Sequence, residues 1–263
     1  MKKLTFIVLF SLLIIGGVFS QPLVSVNEAV KLLKSKDVVL VSARKSSDYA
    51  KVHIKGAVNV DLSTLETESG KIKNVETLAK ILGSKGISCN KKIIVYCKTG
   101  VNAGRLYWIL NYLGCNNVSM LDGHMKAWRE ARKPVTRTKP QIKPVKFVPS
   151  VNKSIIADKN YVKSKIGNPN TVIIDARNKE DFDAGHIKGA KSLPHKKLLS
   201  DTKLKSKSSL QSIFNSIGAT PNKEIILYCK TGRRAGLLYF VLKEILGYKN
   251  VKVYDGGYKD WKN

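Results

Sequence analysis

The sequence predicts an α/β chain of two tandem domains, each a parallel sheet with helices on both faces. Two observations carry that prediction. First, Tyr-Cys-Lys-Thr-Gly occurs at residues 96–100 and again at 228–232, each time straight after an apolar run, Ile93-Ile94-Val95 or Ile225-Ile226-Leu227. A helix-like stretch follows each copy, at 103–113 and 235–246. Second, short apolar runs alternate along the chain with amphipathic segments such as 26–33, 75–82, 160–166 and 210–217. That alternation is the signature of strands joined by crossover helices. A length of 263 residues is right for two domains, each able to form its own core.

Taken in chain order, residues 1–20 (MKKLTFIVLFSLLIIGGVFS) join two lysines to an apolar core and end with Val18 and Ser20 at the −3 and −1 positions of a cleavage site. This is the form of a secretory signal peptide. The competing reading is a retained N-terminal anchor, because residues 4–19 are nearly long enough to cross a bilayer. No Cys follows the apolar stretch, so a lipoprotein-type lipid anchor is not expected. No membrane span is expected once the signal is removed.

The first copy of the repeat then runs through Val38-Val39-Leu40-Val41-Ser42-Ala43-Arg44, which matches Thr171 to Arg177 with Arg44 and Arg177 in register. His53-Ile54-Lys55-Gly56-Ala57 recurs unchanged as His186-Ile187-Lys188-Gly189-Ala190. Beyond the Cys loops come Leu113-Gly114 and Leu246-Gly247, then Asp122-Gly123 before Trp128 and Asp255-Gly256 before Trp261. The offset between copies is 133 residues, falling to 132 around the Cys loops. Between the copies, Pro134, Pro140, Pro144 and Pro149 forbid regular helix and predict an extended, fairly stiff connection over 131–150. The domains are placed at 24–130 and 151–263.

In such folds ligands sit at the carboxyl ends of the strands. Arg44, Arg177, both Cys loops, Asp122 and Asp255 all follow strand ends, which gathers a thiol, an arginine and a Gly-containing turn in one pocket per domain. A thiol between backbone N–H groups at a helix N-terminus is acidified, and an anion beside it is favoured. The formal charge is +28, or +26 without Lys2 and Lys3. Only eight of the 47 basic residues are Arg, the lysines are scattered, and no nucleic-acid motif accompanies them, so no nucleic-acid partner is expected. The charge should nevertheless draw small anions to any cleft.

These motifs resemble the rhodanese family, and the tandem layout resembles thiosulfate and mercaptopyruvate sulfurtransferases. The elements that carry the resemblance are Asp-Ala-Arg at 175–177, the Gly-His-Ile-x-Gly-Ala turn at 185–190, the Cys-x-x-Gly loop and Asp-Gly-Gly at 255–257. It implies two rhodanese-like domains, each a parallel five-stranded sheet. It also implies a ping-pong reaction in which the loop Cys takes the outer sulfur of a small anionic donor such as thiosulfate as a persulfide. A thiol or cyanide then accepts that sulfur, and no metal or other cofactor is needed. Carried over residue by residue, Cys229 is the nucleophile. The backbone from Lys230 through Thr231, Gly232, Arg233 and Arg234 to Ala235 forms the anion cradle, the side chains of Lys230, Arg233 and Arg234 add cationic donors, and Arg177 anchors substrate. Lys230 argues against mercaptopyruvate, whose users tend to carry small neutral residues there.

Cys97, with Arg44 and Lys98, is the matching candidate in the first domain, but that copy has drifted. Ser42, His124 and Val101-Asn102 stand where the second has Asp175, Gly257 and two arginines. Family members of this layout usually keep the nucleophile only in the second domain, so the activity of Cys97 stays open. In a rhodanese-like sheet Cys89 and Cys115 fall close together at the edge opposite the site, and both are absent from the second copy, where Pro221 and Tyr248 stand. A Cys89–Cys115 disulfide is expected on that basis.

Blander readings stand beside these. His53 and His186 are expected to be structural, Asp255 to organise its turn, and Trp128 and Trp261 to pack the last helices. Asp175 either orients Arg177 or caps the strand end. A phosphatase of related fold would carry its essential Arg where this chain has Ala103 or Ala235, which disfavours that activity. The remaining alternative is a non-enzymatic persulfide carrier or anion-binding module in the cell envelope; under either reading the protein is exported, periplasmic or secreted.

Overall fold

The computed structural model describes residues 21–263, so the expectations for residues 1–20 lie outside the described residues. The first domain holds strands β1 (Leu23–Val24), β2 (Val38–Ser42), β3 (Val58–Asn59), β4 (Lys92–Tyr96) and β5 (Val118–Leu121). All pair in parallel, in the order β1-β5-β4-β2-β3. The second domain repeats that order as β6-β10-β9-β7-β8, with β6 (Ile156–Ala157), β7 (Thr171–Asp175), β8 (Lys191–Ser192), β9 (Glu224–Tyr228) and β10 (Val251–Tyr254).

The central strands explain the apolar runs. Ile93 to Tyr96 and Ile225 to Tyr228 are fully buried, because helices cover both faces of each sheet. Helix starts are capped locally: Ser25 and Glu28 form a capping box ahead of Val26–Leu32, and Asn74 accepts from the Thr77 N–H ahead of Val75–Ser84. The helix Arg233–Phe240 continues as a π turn over Val241–Ile245. The repeat offset rises from 132 to 133 across this helix, so the π turn absorbs the extra residue of the second copy.

The two domains meet through the helices that follow the Cys loops, Val101–Tyr112 and Arg233–Phe240. They cross at paired glycines. A Cβ on Gly104 would stand 2.6 Å from Leu237 Cα, and one on Gly236 would stand 2.7 Å from Arg105 Cα. Tyr107 meets Phe240 edge-on at 4.9 Å, and one apolar cluster runs through both domains. The proline-rich stretch lacks regular structure over residues 139–150, yet it is fastened to the first domain. Val145 donates to the Gly83 carbonyl at 3.0 Å, Ser150 to that of Leu113 at 2.9 Å, and Phe147 is buried. Cys89 and Cys115, just before β4 and β5, are joined in a disulfide at the sheet edge opposite the Cys loops, while Cys97 and Cys229 are free.

Candidate active site

Strand β9 ends at Tyr228 and delivers Cys229 to the carboxyl edge of its sheet, 2% exposed. The loop turns through Gly232 at φ +89°, a left-handed conformation that only glycine adopts freely, and enters the helix Arg233–Phe240. The Asp-Gly-Gly turn grips the loop from behind. Tyr258 donates to the Cys229 carbonyl at 2.7 Å and Lys259 to that of Lys230 at 3.0 Å. A Cβ on Gly257 would stand 2.3 Å from that same Cys229 oxygen, so the close approach requires glycine.

Arg177 is held over this loop by fixed partners. Its Nε and Nη2 donate to the Asp175 carboxylate at 2.6–3.0 Å, and Nη2 also donates to the Gly185 carbonyl at 2.7 Å. The guanidinium lies 3.9 Å from the Tyr258 ring centroid. Asp175 also accepts the Arg177 N–H at 2.9 Å, so it both orients the side chain and caps the strand end. A cavity of about 350 Å3 is lined by Arg177, Asp181, Lys230, Tyr258, Lys259 and Lys262. Four of its eight lining residues are cationic, which suits a small anion.

The other arginines of the loop are engaged elsewhere. Arg233 gives Nε and Nη2 to Glu66 of the first domain at 2.8 and 2.6 Å, so two of its five N–H donors are turned toward the domain interface. Arg234 lies 3.8 Å from Asp181. Thr231 faces Gly70 of the first domain, where a Cβ would meet its methyl carbon at 2.6 Å. His53 is fully buried, stacked on Tyr49, with both ring nitrogens against carbonyls, and His186 stacks on Phe182. Both hold turns together.

Sequence reading missed the contribution of the first domain to this site. Glu66 bridges to Ile72, and this short hairpin covers the second site. Ile72 donates to Asp255 at 2.9 Å, Lys71 pairs with Asp260 at 2.7 Å, and Lys259 reaches the Glu68 carbonyl at 2.6 Å. Arg105, wholly buried, bridges Glu66 at 3.2 Å and Asp255 at 2.6 Å. Asp255 thereby clamps the two domains together as well as its own turn. The second domain returns the arrangement: the hairpin Leu199–Ser200 with Lys203–Leu204 covers the first site, through Thr202 on the Gly123 carbonyl and Asp201 on Lys126.

The first site is different in kind. Gly100 donates to Cys97 Sγ at 3.1 Å, as the cradle requires, yet burial pushes the thiol pKa up against the loop N–H groups that pull it down. Arg44 donates to the Val52 carbonyl at 2.6 Å, and Ser42 offers it no carboxylate of the kind Asp175 gives Arg177. His124 takes the place of Gly257, at φ +55°, and Met125 holds the Cys97 carbonyl at 3.2 Å rather than 2.7 Å. Its ring is buried beside Gly100, and burial pushes its pKa down to about 4, so it is neutral. Arg44, Lys98, Thr99, Lys126 and Arg129 line a wider cavity of about 710 Å3.

Comparison with known proteins agrees with this geometry. The rhodanese-like domain family matches twice, over residues 25–131 and 158–263, and the chain belongs to that family. It is 28% identical to the thiosulfate sulfurtransferase of Pseudomonas aeruginosa, over 94% of this chain and 97% of that protein. It is 30% identical to the sulfur carrier protein TtuD of Thermus thermophilus, over 72% and 74% of the two chains. The crystal structure of SseA, a 3-mercaptopyruvate sulfotransferase from Escherichia coli, superposes with a TM-score of 0.82 at 26% identity, covering 90% of this chain and 98% of that one. The protein is a sulfur-transferring enzyme of the rhodanese type.

Proposed function

We propose that the protein moves the sulfane sulfur of a small anionic donor, thiosulfate, through a persulfide on Cys229 to a thiol or cyanide. The observation that carries this reading is a thiol at a helix N-terminus beside a small cavity lined by Arg177, Lys230, Lys259 and Lys262. The Cys229 thiolate attacks the outer sulfur of thiosulfate; the S–S bond of the donor breaks and its electron pair leaves with sulfite. One thiolate and one dianion become one persulfide anion and one sulfite dianion, so charge and atoms balance without an oxidant. The acceptor thiolate or cyanide then takes the outer sulfur and restores the Cys229 thiolate. Arg177 and the lysines hold the donor, and the loop N–H groups hold the sulfur anion.

Cys229→Ser is expected to abolish thiocyanate formation from thiosulfate and cyanide, while Cys97→Ser retains at least about half of it. A comparable partial loss in both variants would mean two working sites. One observation favours a second reading, the likeness to a protein named a sulfur carrier. As a carrier, Cys229 would gain one sulfur atom in an intact-mass measurement yet show no turnover with soluble donors. Residues 1–20 and the Cys89–Cys115 bond support export to an oxidising compartment. N-terminal sequencing of the protein recovered from its own cells tests this, with Gln21 as the expected first residue.

A further inference from the structure

Arg105 carries a signal that its ion pairs leave unexplained. It belongs to the first domain, on the helix Val101–Tyr112, and is 0% exposed. Its Nε is taken by Glu66, its Nη2 by Asp255, and its Cζ lies 4.7 Å from the Trp108 ring centroid. Nη1 has no partner among the described residues, although it is buried. An unsatisfied buried donor costs about 1–3 kcal/mol, more when charged, and calls for a reason.

The direction of Nη1 supplies that reason. A Cβ on Gly232 would stand 2.6 Å from it and 3.0 Å from Cζ, so the free edge of the guanidinium lies directly against the Cys229 loop. Gly232 is the counterpart of Gly100, whose N–H donates to Cys97 Sγ. The two carboxylates occupy the other edge of Arg105 and, against its burial, hold its pKa up. The pseudo-symmetric position makes the comparison. Arg105 matches Leu237, and Leu237 Cδ1 stands 3.6 Å from the Cβ position of Gly100. Each domain thus inserts the same helical position beneath the Cys loop of the other: a cation under Cys229, an aliphatic side chain under Cys97.

We propose that Arg105 is the positioning residue for the Cys229 reaction, a charge lent by the first domain that favours the thiolate and then the persulfide anion from behind the loop. The first domain is therefore a working part of the second site, and Leu237 is one reason why Cys97 lacks the same support. This rests on Cys229 as the nucleophile, so the test reads the thiol itself and does not depend on turnover.

The experiment is the pH dependence of iodoacetamide alkylation of the full chain, followed peptide by peptide for Cys229 and Cys97. Arg105→Met should move the Cys229 profile upward by about one pH unit, slowing alkylation at neutral pH about tenfold, and leave the Cys97 profile in place. Glu66→Gln removes a counter-charge and should move the Cys229 profile downward. Arg233 is also freed in that variant, so the double variant Arg105→Met/Glu66→Gln, set against Arg105→Met, decides: a Glu66→Gln shift that is mostly lost in the Arg105→Met background assigns it to Arg105. A purely structural role would not give shifts of opposite sign. If Arg105→Met fails to fold alone, the double variant is set against Glu66→Gln, and a Cys229 profile about one pH unit above that of Glu66→Gln carries the test. Cys229 profiles that coincide with wild type in the folded variants would overturn the proposal.

Discussion

At the scale of the residue, Asp175 fixes the arginine of the second site. The Arg177 guanidinium is held by a carboxylate, a backbone carbonyl and an aromatic ring, so under the proposed function it would meet the donor without further ordering, which is how fixed groups raise affinity. Asp175→Asn keeps the size but removes the charge that steers Arg177. Hydrogen bonds to charged groups contribute about 1.5–3 kcal/mol, so steady-state kinetics should show the donor KM rising roughly tenfold, with kcat altered far less. A fall in kcat at constant KM would mean that Arg177 serves the transition state instead. Asp175 and Arg177 were legible in the sequence because both belong to a motif and follow a strand end. Glu66 and Arg105 were not, because reading by repeat reveals what two copies share. Leu199 and Leu237 stand at their matching positions, so two of the charges that join the domains had no echo.

At the scale of the element, the turn after the last strand shows how one substitution separates the domains. Gly257 lets the turn approach the Cys229 carbonyl, whereas His124 brings a Cβ and a neutral ring into the equivalent space. A buried neutral imidazole has a consequence for stability. The His124 pKa is about 4 in the folded protein against the ordinary 6.5, so between those values the unfolded chain binds the extra proton. Its contribution is therefore fully present above about pH 6.5 and is lost as pH falls toward 4, by up to roughly 3 kcal/mol. Burial lowers the pKa of His195 in the same direction, so the variant must isolate one from the other. His124→Asn, whose residue type tolerates positive φ, should flatten much of the difference between denaturant midpoints at pH 7.5 and pH 5. The drift of this turn was visible in the sequence. That the ring would be buried and uncharged was not, since that depends on the helix packed over it.

At the scale of the whole molecule, the two halves exchange parts. Strand order, Cys loops and the Pro-rich stretch could be read along the chain, because each is local or repeated. The exchange of hairpins could not, since it depends on two helices crossing at Gly104 and Gly236, a contact between residues 132 positions apart. The hairpin 66–72 closes the second site and the hairpin 199–204 the first, so a change in one domain is read out in the other. Gly70 is the sharpest place to test this. It lies at φ +88°, and a Cβ there would meet Thr231 Cγ2 at 2.6 Å and Cβ at 2.7 Å, inside the Cys229 loop. Gly70→Val adds a strained conformation, costing about 1–2 kcal/mol, to a clash that only movement of the hairpin or loop relieves. Sulfur transfer through Cys229 should then fall about tenfold in kcat/KM, although no residue of the second domain has changed. Asp201→Ala, on the reciprocal hairpin, removes an exposed pair with Lys126 above the first site and should leave turnover within about twofold. Equal losses in both variants would mean that the first site shares in catalysis; a loss confined to Gly70→Val would place the chemistry at Cys229, under a hairpin lent by the first domain.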